Sequence, residues 1–341
     1  MTHDMRLVHL HAPGDIRNGR GPIPEPPAGE VRVRVAAVGV CGSDIPRMLS
    51  KGAHRMPIVC GHEVAGTVEA VGDGVSAAWL DTRVTVAPLI PCGQCDQCQQ
   101  GHPTRCSNYD YIGSRRDGAY AESFIVPVGN LVPLPDHVPF EAGAMTDPAA
   151  IAHYAFAKTK LQPGQSVAVV GCGAIGLFAV QWARLHGASS VHAIDTDESK
   201  HAIARELGAD MATHPDATQE FDRYDVVLEA AGFPSSINLA SRLAGPGGEV
   251  VFIGIPTTDV TLDRATFDHL LRHEITWHGA WNSFGDPFPG ASWFDTVEAF
   301  ETGDLKWQPI VTHDLDLAEL PATFEKIRQR ELSYAKILFR P

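Results

Sequence analysis

Hydrophobic and polar positions change their period once along this chain, near residue 150. Before that point Glu30-Val-Arg-Val-Arg-Val-Ala-Ala-Val alternates with period two, which predicts a strand with one buried face. Val64–Val71 and Arg83–Val86 repeat the pattern between Gly and Pro punctuation, so Val31–Val132 is expected to form an irregular all-β unit. Pro13–Gly29, with five prolines and four glycines, reads as an ordered surface loop. After about Ala150, short apolar strands (Ser166–Val170, Val191–Ile194, Asp225–Leu228, Glu249–Ile253) alternate with helices (Ala174–His186, Ser199–Leu207, Pro234–Leu243). The last of these helices is expected to stop at Gly-Pro-Gly-Gly. That alternation predicts an α/β fold with a doubly wound parallel sheet covered on both faces. The tail from Ala291 adds two amphipathic helical patterns and a final strand, Tyr334–Phe339.

A length of 341 residues fits two domains, and 27 Lys and Arg against 41 Asp and Glu leave a formal charge of −14. Such a surface repels nucleic acid and anionic lipid. Met1–Arg17 lacks the apolar centre of a signal peptide. The longest apolar run, Val167–Val180, would make a helix of only about 21 Å against a roughly 30 Å hydrocarbon core, so no membrane span is expected. Seven cysteines, four of them between Cys92 and Cys106, point to metal rather than disulfides and to a cytoplasmic setting.

Three constellations carry chemistry. Gly171-Cys-Gly173-Ala-Ile175-Gly176 follows a strand and opens a helix, the setting of a dinucleotide fingerprint. The first Gly permits the tight turn, the second admits the pyrophosphate, and the third allows close packing of helix on strand. Asp195, 19 residues past Gly176, can bond ribose hydroxyls and would repel a 2′-phosphate, which favours NAD over NADP. Cys92, Cys95, Cys98 and Cys106 can close a tetrahedral shell around a structural Zn²⁺ that staples a lobe without a core of its own. Cys41-Gly-Ser43-Asp and Gly61-His62-Glu63 supply a thiolate, an imidazole and a carboxylate. Their spacing by itself suits either an open, catalytic zinc site or a buried cysteine and a satisfied core histidine.

These blocks, in this order, resemble the zinc-dependent medium-chain alcohol/polyol dehydrogenases from about Val31 to the C-terminus. Within that family the stretches Cys41–Arg47, Gly52-Ala-His54, Tyr111–Gly118 and Trp281-Asn282 resemble members acting on galactitol 1-phosphate. The resemblance implies a GroES-like β-barrel catalytic domain over 1–154, an inserted Rossmann domain over 155–284 and a return to the catalytic domain over 285–341. It implies two zinc ions per chain and NAD, with the active site in the interdomain cleft and pairing of the last Rossmann strand giving a homodimer or homotetramer. It assigns Cys41, His62 and Asp147 (in place of the family's usual Glu before Pro) as catalytic zinc ligands, with Glu63 either binding the metal in one state or standing behind the ligands. Ser43 would start the proton relay. Pro46 replaces the His that often continues it, which leaves water, the cofactor ribose or His54 to do so; His54 reads equally as a loop residue.

For the substrate, Arg115 and Arg116 can clamp a phosphate bidentately or form an exposed or salt-bridged pair, with Arg47 and Lys51 nearby in sequence. Trp281, Asn282 and Phe284 would floor the substrate pocket or pack the hinge. The expected reaction is hydride transfer between a polyol or polyol phosphate and NAD. A neutral hexitol, L-threonine, or a non-catalytic zinc-stabilised NAD-binding module are the alternatives.

Overall fold

The computed structural model describes residues 4–218 and 224–341, which divide into two compact units. The first holds residues 4–147, 284–301 and 311–341, and the second holds 148–218, 224–283 and 302–310. The division therefore falls earlier than residue 154, within the helix Thr146–Phe156, and residues 302–310 join the second unit rather than the first. A side chain explains the latter: Gln181 donates to Lys306 O (3.0 Å) and accepts from Lys306 N–H (2.7 Å).

In the first unit the alternating segment is the strand Glu30–Gly39, with Val31, Val33 and Val35 buried and Arg34 exposed. It pairs antiparallel with Glu63–Val71, Ser123–Pro127 and the C-terminal strand Lys336–Arg340. The seven-stranded sheet continues through Arg83–Val86 and Leu131–Pro133 on one side and Val311–Asp316 on the other. Its apolar face joins Val31, Val33, Val68, Tyr120, Phe324 and Phe339 in one core, so both ends of the chain meet there. The Pro- and Gly-rich stretch is not a loop. It contains the strand Asp15–Pro22, turned at Gly14 (φ +79°) onto Asp4–Ala12, and it is tolerated as an edge strand because its prolines fall at or beyond its ends.

The second unit is a six-stranded, wholly parallel sheet in the order Met211–Thr213, Ser190–Ile194, Ser166–Val170, Tyr224–Glu229, Ala244–Phe252, Thr276–Gly279. The strand order reverses between Ser166–Val170 and Tyr224–Glu229, so right-handed crossovers carry helices to both faces. Val170, Ile194, Val227 and Val250 lie in its core. Helix Pro234–Leu243 ends as expected, but the following Gly-Pro-Gly-Gly is taken into the strand Ala244–Phe252 with an irregular register. Two elements were not expected from the sequence, the exposed strand Thr276–Gly279 and the helix Arg264–Arg272, an amphipathic helix whose Phe267 and Leu271 are exposed. The helix is started by Asp263, which accepts from Thr266 N–H (2.7 Å). Among the described residues no helix is long and apolar enough to cross a membrane.

Candidate active site and metal centres

The clearest candidate metal centre is the four-cysteine lobe. The sulfurs of Cys92, Cys95, Cys98 and Cys106 all lie within 4.8 Å of one another, and Cys95 and Cys106 are 3.9 Å apart. A tetrahedral zinc–thiolate shell requires about 3.8 Å between sulfurs, so the spacing fits. All four thiols are unbridged. Backbone N–H groups of Cys98 and Ser107 bring the Cys95 thiol down to about 6, and the N–H groups of Cys92 and Cys95 donate to Cys106 Sγ (3.3 Å) and Cys92 Sγ (3.4 Å). The loop thus turns its own amides onto the sulfurs and favours thiolate at Cys92 and Cys95, whereas desolvation pushes the Cys98 thiol up to about 12.

The second centre is built where the strands Glu30–Gly39 and Glu63–Val71 meet. Gly39 faces Glu63 in the register, and a Cβ on Gly39 would overlap the Glu63 carboxylate. Gly61 (φ +89°) precedes His62 because a Cβ there would fall 2.7 Å from the Tyr120 ring. Cys41 follows the first strand in a turn closed by Asp44, which is fully buried and accepts from Cys41 N–H (3.1 Å) and Tyr120 O–H (3.1 Å). Arg47 pairs with the same carboxylate, so it is not a free anion-binding group. Ser43 donates its hydroxyl to Cys41 Sγ (3.3 Å).

His62 and Asp147 are both buried, and among the described residues neither His62 Nδ1 nor Asp147 Oδ1 has a hydrogen-bond partner. His62 Nδ1 is 3.6 Å from Asp44 Oδ1. Desolvation pushes the Asp147 carboxyl up to about 7 and the Cys41 thiol up to about 12, with the acidic Glu63 and Asp44 adding to both. A desolvated thiol, with a buried carboxyl and imidazole that have orphaned polar atoms, suits a divalent cation, whose charge reverses the shifts of the thiol and the carboxyl. Cys41, His62 and Asp147 are not gathered as tightly as the four cysteines.

Glu63 is engaged elsewhere. Its Oε2 accepts from Lys336 Nζ, which also donates to Val40 O (2.9 Å). Sequence reasoning missed Lys336, Asp44 and Tyr111. The first lies in the last strand, far along the chain, and offers no motif. Tyr111 packs edge-on against His62 with centroids 5.6 Å apart, and desolvation together with Asp147 and Cys41 holds its phenol well above its ordinary range.

The other expected substrate groups are scattered. Arg116 is bound in a fork by Glu30 (2.6 and 3.3 Å), the salt-bridged alternative of the sequence reading for this residue. Arg115 is exposed and stacks over Tyr109 at 4.4 Å, and Tyr109 in turn meets Tyr111 edge-on at 6.4 Å. His54 sits on an exposed loop, its N–H donating to Ser114 O (3.2 Å). Phe284 is core, stacked on Trp293 at 5.8 Å, whereas Trp281 is exposed and Asn282 occupies a left-handed turn (φ +58°) in the second unit.

In the second unit the glycine turn has the expected geometry. Gly171 has φ +98°, open space lies where Gly173 would carry a Cβ, and a Cβ on Gly176 would overlap Gly171 O. Gly173 caps the helix Ala174–Leu185, of which Ile175 is the second residue, leaving an amide cradle that fits a diphosphate. Asp195 accepts from Cys172 N–H (2.6 Å) and Asp197 N–H (2.8 Å), so it braces the turn as well as ending its strand, and Lys200 Nζ stands 3.9 Å away. Cys60 and Cys172 are buried, and burial pushes each thiol up to about 12.

Comparison with known proteins agrees with this layout. The family model described as alcohol dehydrogenase GroES-like domain matches residues 27–136, and that described as zinc-binding dehydrogenase matches 174–295. Galactitol 1-phosphate 5-dehydrogenase of Escherichia coli (strain K12) is 37% identical over 320 residues, spanning 91% of this chain and 92% of that protein. The crystal structure of galactitol-1-phosphate dehydrogenase from Escherichia coli superposes with a TM-score of 0.94 at 34% identity, over 99% of this chain and 100% of that one. A putative zinc-binding dehydrogenase from Sinorhizobium meliloti 1021, solved bound to NADP, gives 0.90 at 29% identity over 99% and 100%. The chain belongs to the zinc-dependent medium-chain alcohol and polyol dehydrogenases, oxidoreductases acting on CH–OH groups, with a GroES-like unit and a Rossmann-type parallel sheet.

Proposed function

We propose that this protein oxidises a secondary hydroxyl of a polyol phosphate, of the galactitol 1-phosphate type, using NAD. The observation that carries the reading is the pair of orphaned buried atoms, His62 Nδ1 and Asp147 Oδ1, in the same buried region as the desolvated Cys41 thiol. Cys41, His62 and Asp147 would hold a zinc ion there, with Asp44 beside the imidazole at 3.6 Å and Lys336 keeping Glu63 behind the ligands. When bound, zinc acidifies the alcohol as a Lewis acid and NAD accepts the hydride. Ser43 Oγ takes the hydroxyl proton, and with Pro46 unable to pass it on and His54 exposed, water or the cofactor ribose relays it to solvent.

Gly171, Gly173 and Gly176 receive the diphosphate, and Asp195 selects NAD because a 2′-phosphate would meet its carboxylate. The rings of Tyr109 and Tyr111 run from Arg115 to His62, which supports Arg115 as the group that meets the substrate's phosphate. The four cysteines hold the second, structural zinc, and seven unbridged cysteines support a reducing, cytoplasmic setting. Thr276–Gly279 ends the parallel sheet, and exposed Phe267, Leu271 and Trp277 beside it support pairing with a second copy of the chain.

The test is an initial-rate panel on zinc-loaded protein with NAD and NADP against hexitols, their 1-phosphates and L-threonine. The expected result is the highest kcat/KM for a hexitol 1-phosphate with NAD. Equal or better rates on a neutral hexitol or threonine would reject the phosphate reading.

A further inference from the structure

Glu229 closes the strand Tyr224–Glu229 with a side chain that is fully buried. Its Oε1 accepts from the N–H groups of Ala231 (3.0 Å) and Gly232 (2.8 Å) and from Ser236 Oγ (2.7 Å). Ser236 in turn accepts from Phe233 N–H (3.0 Å) at the start of the helix Pro234–Leu243. The backbone of Glu229 is tied as well, its carbonyl accepting from Ile253 N–H (2.9 Å) and Gly254 N–H (3.1 Å). Its Oε2 has no hydrogen-bond partner among the described residues and lies against Gly254, where a Cβ would come within 2.6 Å of it. One residue therefore fixes two turns at the carboxyl ends of neighbouring parallel strands, the side on which such sheets bind ligands.

The first of those turns touches the dinucleotide fingerprint. A Cβ on Gly171 would lie 2.8 Å from Ala231 N, and Ala230 N–H donates to Val170 O (2.8 Å). We propose that Glu229 is a positioning residue for the cofactor: its carboxyl holds residues 230–233 against the Gly171 turn and so fixes the wall of the cradle that takes the diphosphate. Burial pushes this carboxyl above its ordinary value, while Ser236 and the amides of Gly232 and Ala231 pull it back. The inference rests on the reading of residues 171–176 as a dinucleotide site.

The experiment titrates zinc-loaded wild type, Glu229→Gln, Glu229→Ala and Ser236→Ala with NADH by fluorescence, then measures KM for NAD and for the alcohol separately. Gln keeps an acceptor at Oε1 and is expected to hold NADH within about threefold of wild type, whereas Ala weakens it about tenfold or more. Ser236→Ala, which keeps the carboxyl, is expected to fall between them. KM for NAD should rise with these losses while KM for the alcohol stays put. NADH affinity unchanged in Glu229→Ala, or in Ser236→Ala should the former not fold, would overturn the proposal, as would equal losses in Gln and Ala. Wild type that fails to bind NADH would instead overturn the reading of the glycine turn.

Discussion

Lys336 Nζ is buried against Glu63 Oε2, an ion pair that joins residues 273 positions apart and stands directly behind the proposed zinc ligands. Neither side chain has water to fall back on, so removing one leaves the other as an uncompensated buried charge. Lys336→Met is expected to cost about 3–5 kcal/mol of stability. Glu63→Gln in the same chain should recover part of that loss. Urea-denaturation midpoints of the two single variants and the double variant measure the coupling, and additive losses would show that the pair carries no interaction energy.

The two metal centres differ in what their loss does. Wild type should hold two zinc ions per chain by elemental analysis. Cys41→Ala should retain one ion and its fold but lose turnover, because only the open site would be affected. Cys98→Ser should also drop to one ion but lower Tm, because the lobe would lose its staple. Full turnover in Cys41→Ala would rule out the catalytic centre described here.

The two adjacent arginines should separate cleanly. Arg115→Ala is expected to raise KM for a hexitol 1-phosphate about tenfold and leave the neutral hexitol unaffected. Arg116→Ala should leave both KM values unchanged and lower stability by about 1–2 kcal/mol, since it breaks the fork with half-buried Glu30. Parallel kinetics and thermal melts of the two variants decide between these roles.

Glu229 also predicts a pH dependence. Burial raises its carboxyl above the ordinary 4.5, so the folded state keeps a proton that the unfolded chain gives up. The stability it contributes is complete below the unfolded value and is lost as pH rises through the folded one. Glu229→Gln cannot ionise, so the difference in Tm between variant and wild type should move in the variant's favour as pH rises. Melts across roughly pH 4 to 9 would show it, and a constant difference would contradict a raised carboxyl.

Much of the architecture was legible in the chain because its signals are local. Alternation at Glu30–Gly39, the apolar run Ser166–Val170 and the glycines at 171, 173 and 176 are written in consecutive residues, and backbone geometry turns them directly into strand and turn. The four cysteines are similar, since a short loop brings them together whatever the rest of the chain does.

The succession of elements, the cysteine-rich lobe and the dinucleotide turn all follow from the local order of residues along the chain. Tertiary structure alone decided which charges meet. Arg116 and Arg115 are neighbours of identical chemistry, yet one is consumed by Glu30 and the other is exposed, because a strand from elsewhere runs past only one of them. Lys336 behind Glu63, Asp44 beside His62 and Glu229 beneath Gly171 likewise depend on strand order and register. Electrostatic and hydrogen-bond partners are chosen by distance in space, and periodicity along a chain carries no record of it.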